Sequence, residues 1–165
     1  MLAWLATGLA LMLAAAAIVW VYYEQQQRHQ AARIVKAIAD KDQAELLLLL
    51  VERMDLHLVA KWFGEPALII AVKSFAAGSE DEDPGFLREA VRLLISHGAD
   101  INEPGTEWRT ALMHAAANGN RDLCALLLSY GADATARDMF GRTAAYWAEH
   151  NGHARTASLL RRVDA

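Results

Sequence analysis

The first 23 residues contain no charged side chain; all 16 Lys and Arg and all 20 Asp and Glu stand at or after Glu24. Cysteine is nearly absent too. Cys124 is the single one, so no intrachain disulfide can form. That fits a reducing compartment without establishing one. No basic excess exists: the formal charge is −4 at pH 7, the pI is about 5.8, and cations are interspersed with carboxylates. Binding to phosphate backbones rests on clustered Lys and Arg, so no nucleic-acid partner is expected. The short catalytic signatures G-x-x-x-x-G-K-[ST], G-x-S-x-G, H-E-x-x-H and C-x-x-C are all missing.

What is present is unevenly spread. The hydrophobic fraction is 55%, and residues 2–23 read LAWLATGLALMLAAAAIVWVYY. About 20 apolar residues in a helix rising about 1.5 Å each cross a hydrocarbon core of about 30 Å. Trp4 stands near one end of this run and Trp20, Tyr22 and Tyr23 near the other, where amphipathic rings settle at membrane interfaces. The expectation is therefore an uncleaved transmembrane helix over 1–23. A cleaved secretory signal is the competing reading, with Ala14 to Ala17 as its small-residue site. The missing positive n-region and the continuation of the run through Ile18 to Tyr23 weigh against it. Arg28, Arg33, Lys36 and Lys41 come after the run, and by the positive-inside rule they place the body in the cytoplasm. With an Ala-, Leu- and Arg-rich composition this describes a single-pass protein of a bacterial inner membrane, a periplasmic body being the alternative. Residues 24–29 read as a juxtamembrane helix that continues unbroken into the body.

The body repeats itself. Gly98-Ala99-Asp100 recurs 33 residues later as Gly131-Ala132-Asp133, and Arg109-Thr110-Ala111 recurs at the same spacing as Arg142-Thr143-Ala144. Asn118-Gly119 returns as Asn151-Gly152, and Leu93-Leu94 as Leu126-Leu127 and Leu159-Leu160, again 33 apart. Four landmarks sharing one period mark a repeat architecture, in which each unit buries its apolar face only against a neighbour.

These landmarks, with TALMHAAANGNRDLCALLLSYGADATAR at their centre, resemble the ankyrin repeat: a turn, two short antiparallel helices and an outward loop. The resemblance implies an all-α repeat solenoid of ankyrin helix-turn-helix units, preceded by one transmembrane helix. It covers 30–165, divided into a degenerate cap at 30–60, a unit with an insert at 61–104, and units at 105–137 and 138–165. Ala111 and Ala144 stand where the family usually has proline, and Trp108 stands where Gly141 does one repeat later. Gly64 to Ala71 open the earlier unit. Its Leu68 lies 44 residues before Leu112, so about eleven extra residues sit in AAGSEDEDPGF (76–86), with turn signals at Gly78, Asp83-Pro84 and Gly85. Before it, residues 34–38 and 44–51 read as a helix pair turned at Asp40-Lys41-Asp42. Ala115 and Ala116 are small enough for close helix approach, and Gly98 and Gly131 suit left-handed helix ends.

The polar residues offer little chemistry. His150 and His153 flank a turn without a third ligand at metal spacing, His114 reads as a satisfied core histidine, and His97 as a helix C-cap. Cys124 reads as an inert buried thiol. The acidic run Glu80 to Asp83 lacks the alternating ligands of a calcium loop. No metal, cofactor, small-molecule substrate or catalytic residue is expected.

The resemblance implies a protein partner, gripped by loop tips and by the exposed side of the inner helices. Carried onto this sequence, the tips are Glu103, Thr106, Glu107, Trp108 and Arg109, then Arg137, Met139, Phe140 and Arg142; the helix-side positions are Asn118, His150 and Asn151. Phe75 and Phe86, flanking the acidic insert, form a second candidate surface. The functional expectation is a membrane-tethered adaptor. An inhibitory or immunity-type binder of an enzyme or toxin, and a structural membrane-assembly component, are the alternatives.

Overall fold

The computed structural model describes residues 2–40, 42, 45–46, 49, 56–74 and 84–163, with side chains from residue 16 onward apart from Pro84. A long helix α1 (Leu2–Ala39) precedes α2 (His57–Phe63), α3 (Ala67–Ser74) and α4 (Pro84–Ser96). After a 3₁₀ turn (Thr106–Trp108) come α5 (Ala111–Ala117), α6 (Arg121–Ser129), α7 (Ala144–His150) and α8 (Ala154–Val163). No strand occurs among the described residues. The all-α repeat solenoid is thus observed.

The inner helices α3, α5 and α7 stack in sequence, and α4, α6 and α8 each pack behind their own inner helix. The reason is legible in two alanine columns. Ala67, Ala111 and Ala144 form one, and Ala71, Ala115 and Ala148 the other; all six are buried. Each pair is four residues apart, so both alanines lie on one helix face. A face without bulk lets neighbouring helices approach closely. The outer helices contribute Leu94, Leu127 and Leu160, all fully buried, each worth about 1.5–3 kcal/mol of transfer free energy.

Turn chemistry holds the units in register. At Gly98 and Gly131 φ is +92°, and the next N–H reaches back to Leu94 O and Leu127 O, both at 3.0 Å. That is the Schellman closure for which glycine carries no Cβ penalty. At the opposite end of the inner helices, Asn151 Nδ2 donates to Ala117 O at 2.6 Å and Thr156 Oγ1 to Gly119 O at 3.1 Å. The His153 ring lies directly against Gly119. His153 is therefore a packing residue of the turn, as its place in the repeat implies.

α1 serves two surroundings. Its last turns bury Ala31, Ile34, Ala37 and Ile38 against α2 and α3, spaced as an amphipathic face requires. Ile18 to Tyr23 on the same helix are all exposed. The helix runs unbroken from Leu2 to Ala39. Among the described residues no helix is long and apolar enough to cross a membrane. Of the expected segment 1–23, residue 1 and the side chains of 2–15 lie outside the description.

One expectation needs correction. Pro84 and Gly85, read as turn signals, open helix α4; proline at a first helical position loses no intrahelical bond and presets φ. Phe86 is accordingly half-buried against the core. Residues 76–83 of the insert, Phe75, and most of the 44–51 segment lie outside the described residues.

Gly119 combines φ +71° with a His153 ring in the space a Cβ would take, whereas Gly131 combines φ +92° with open space. Gly119→Ala is expected to destabilise the domain by about 2–4 kcal/mol and Gly131→Ala by about 1–2 kcal/mol. Urea denaturation of the two variants measures the difference, and equal losses would refute the packing role of His153.

Candidate protein-binding face

Two loop fingers precede α5 and α7. Each closes with a backbone bond at the same register: Gly105 N donates to Arg109 O at 2.9 Å and Asp138 N to Arg142 O at 3.0 Å. Met139 N donates across to Glu107 O at 3.0 Å, joining the fingers. Behind them Asn102 receives Asp133 N at 2.8 Å and donates to Gly131 O at 3.3 Å.

The second finger is built on Asp138, whose side chain is fully buried. It accepts from Phe140 N and Arg142 N at 2.9 Å each, from Arg142 Nε at 2.8 Å and from Trp147 Nε1 at 3.2 Å. Burial alone would raise its pKa. The bonds from Arg142 and Phe140 outweigh that and hold the carboxyl below its ordinary value. One carboxylate therefore orients the tip backbone, the Arg142 guanidinium and the Trp147 indole together.

The first finger has no such carboxylate, and its backbone is strained. Glu107 (φ +57°) and Trp108 (φ +59°) are both left-handed, and they are the two non-glycine residues in that region among those described. Glycine occupies the matching position of the next repeat, Gly141 at φ +76°. A left-handed residue with a side chain costs roughly 1–2 kcal/mol. Trp108 is nonetheless 67% exposed, and Phe140 on the neighbouring finger 60%.

Between the fingers and the helices lies a set of stacked rings and cations. The Arg109 and Arg142 guanidinium carbons lie 3.8 and 4.3 Å from the Trp147 ring centroid, and Arg142 is also 4.2 Å from that of Phe140. Such contacts contribute about 0.5–2 kcal/mol each, more as water is excluded. Arg109 is neutralised by Glu107 at 2.7 Å and Arg142 by Asp138. Tyr146 extends the surface, stacked on His150 with centroids 5.7 Å apart.

At the register of Trp147 the previous repeat carries His114. Burial, then the nearby Lys73 cation, push its pKa down to about 4, so it is neutral at pH 7. Its Nε2 is buried without a hydrogen-bond partner among the described residues, where the sequence suggests a satisfied core histidine. Beside it Glu65 accepts from Lys73 Nζ at 2.8 Å and from the Thr106 hydroxyl. Burial raises the Glu65 pKa, but these two bonds outweigh it and the net displacement is downward.

Of the residues singled out in the sequence, the structure gathers Thr106, Glu107, Trp108, Arg109, Met139, Phe140 and Arg142 around the fingers. Arg137 braces the second tip, donating to Gly141 O at 2.8 Å. Glu103 lies behind, 3.7 Å from His57. Asn118 and Asn151 sit at the far ends of the inner helices, roughly 10 Å along the axis, and Asn151 is engaged in the bond to Ala117. His150 joins the two groups through Tyr146. Sequence reasoning misses Tyr146 and Trp147, although Trp147 stands 33 residues after His114 on the same helix face and that spacing is the signal that finds it. Elsewhere, His97 Nδ1 bonds to Leu93 O at 2.8 Å as a C-cap. Cys124 is buried with its thiol pushed up to about 12. No group of three His, Cys, Asp or Glu able to hold a metal occurs among the described residues.

The family model described as ankyrin repeats, in three copies, matches residues 29–138 and 75–165. No curated protein gives a significant match. Ankyrin repeats are protein–protein interaction modules and generally non-enzymatic.

Trp108→Gly removes left-handed strain at an exposed tip and is expected to raise stability by about 1 kcal/mol, read as a higher urea midpoint; a lower one would show that Trp108 packs for stability. A histidine with a folded pKa near 4 binds its proton first in the unfolded chain. Stability is therefore complete above the ordinary value of 6.5 and falls as pH drops from 6.5 towards 4. His114→Leu should flatten that limb, checked by urea midpoints at pH 7 and about pH 5.

Proposed function

The chain belongs to the ankyrin-repeat family, and from that premise we propose that it is a membrane-tethered adaptor that captures one protein on its finger-and-inner-helix face. The observation that carries the reading is the exposure of Trp108 and Phe140 above the Arg109–Trp147–Arg142 stack. Large rings with arginine are the residues in which binding energy concentrates at interfaces. A tip that keeps a left-handed tryptophan where the next repeat uses glycine has a reason other than folding.

The tether rests on the uncharged run 2–23 and on its helical backbone within α1. Ile18 to Tyr23 are exposed, and a lipid bilayer is the medium such an apolar surface fits. The body lies on the cytoplasmic side, as the cations after Tyr23 direct. Because the last turns of α1 belong to the repeat core, the tether is continuous with the domain. Confinement to a membrane raises the effective concentration for partners held there.

Crosslinking in intact membranes, with wild type beside a Trp108→Ala, Phe140→Ala double variant, tests the adaptor. Both side chains are exposed, so the variant keeps its fold, verified by its urea midpoint. One protein captured by wild type and lost from the variant is the expected result. Identical captures from both would sink the assignment of this face.

A further inference from the structure

The short helix α2 stands where a neighbouring unit would have a finger, and it packs on α1 and not on the stack alone. Lys61 Nζ lies 3.2 Å from Glu24 Oε1. Glu24 is the first charged residue after the apolar run. Lys61 and Arg28 both lie against the Trp62 ring, at 5.0 and 5.7 Å from its centroid. At the end of the same helix Phe63 is exposed.

These contacts set a height. On the tethered reading, on which this inference rests, Tyr23 ends the hydrocarbon-spanning part of α1. The headgroup layer beyond it is about 5–8 Å thick on each side. From Glu24 to Arg28 a helix rises about 6 Å, so both lie within that layer when α1 stands along the membrane normal. Lys61 and Trp62, held against these two residues, are carried into the same layer. We infer that α2 is a membrane-contact element, seating the first repeat on the phospholipid headgroups through Lys61, Trp62 and Arg28.

The chemistry suits the location. A lone carboxylate at Glu24 would face lipid phosphates unfavourably; Lys61 neutralises it and leaves its ammonium, half-exposed, to a phosphate. Arg28 supplies a second cation one turn further from the hydrocarbon. Trp20, Tyr22 and Tyr23 are exposed near the same end of α1, as aromatic rings that settle at the interface are, and Trp62 presents the open part of a half-buried ring further along. With α2 resting on the lipid and α1 passing through it, two contacts define the orientation of the stack, where a single flexible tether would leave it free.

The test uses the full chain in nanodiscs of phosphatidylcholine and phosphatidylglycerol in equal parts. Nitroxide labels are placed singly at Val19→Cys, Lys61→Cys and Arg155→Cys, and depth is read from oxygen and nickel-chelate accessibility; Cys124 is buried and does not compete for the label. The expected pattern is hydrocarbon depth at 19, a shift to headgroup depth at 61, and full aqueous exposure at 155. Position 19 in hydrocarbon with 61 as aqueous as 155 would overturn the α2 contact while leaving the tether intact. Aqueous exposure at 19 would overturn both. Since Lys61→Cys removes one proposed cation, the intrinsic fluorescence of a chain retaining Trp62 alone, quenched by headgroup-labelled lipid in the expected case and unquenched in the opposite one, decides the same point with Lys61 present.

Discussion

The close approach of the inner helices is the constraint on which the rest of the molecule depends. Ala67, Ala111 and Ala144, with Ala71, Ala115 and Ala148, leave no side-chain bulk between α3, α5 and α7. A methylene added there would have to be accommodated by shifting a whole unit, because interiors at native packing density hold few voids. Helices at that spacing bring their preceding loops within backbone hydrogen-bonding reach, which is why Met139 can meet Glu107 and Asn102 can meet Asp133. The finger face is thus a consequence of the seam. Arg109 and Arg142 belong to different repeats, yet they reach one indole because the seam sets the distance between units.

Electrostatics along the face derives from the same register. Positions 65, 109 and 142 occupy equivalent places just before successive inner helices, and carry Glu, Arg and Arg. Positions 70, 114 and 147 do so on the inner helices, and carry Ile, His and Trp. The face therefore changes character from one end to the other. Near α1 it is an ion-paired network of Glu65, Lys73 and Thr106 around a neutral His114; near the last described repeat it is aromatic and cationic. Charge-assisted bonds to Glu65 and Asp138 are strong because both carboxylates are largely withdrawn from water. Rigidity at the base of each finger and exposure at its tip are two outcomes of one arrangement.

The repeat is legible in the sequence because its signals are local and periodic. Glycines at left-handed helix ends, Asn-Gly turns and leucine pairs recur at one spacing, and each has a physical reason independent of its neighbours. The loop tips are legible for the same reason. Trp147 is not, because its importance arises from the meeting of Arg109 and Arg142 across two repeats, and its register mate His114 reads as a core residue. Asp138 escapes notice likewise: nothing in an Arg-Asp-Met-Phe-Gly stretch announces that the carboxylate turns inward. Pro84 and Gly85 read as a turn because both are turn formers, and only the burial of Phe86 and Leu87 shows that a helix opens there. Local chemistry is readable; long-range convergence is not.

The two fingers solve one geometric problem in different ways, and the contrast bears on function. Each needs a residue in left-handed geometry just before its arginine. The second finger uses Gly141 there and pins the rest of the tip with Asp138, leaving Phe140 presented on an unstrained, well-bonded turn. The first finger has Gly105 where Asp138 would stand, so it lacks the carboxylate brace, and it places Trp108 where glycine would be easiest. Its strain is opposed by the Thr106 bond to Glu65, drawn from the preceding unit, and by the Glu107 ion pair with Arg109 inside the finger itself. A stack of few units has little stability to spare. Retaining a strained, water-exposed indole under that condition makes sense on the adaptor proposal, in which the indole is covered in the working state and a partner's side chains complete the cover at the Trp147 surface beside it.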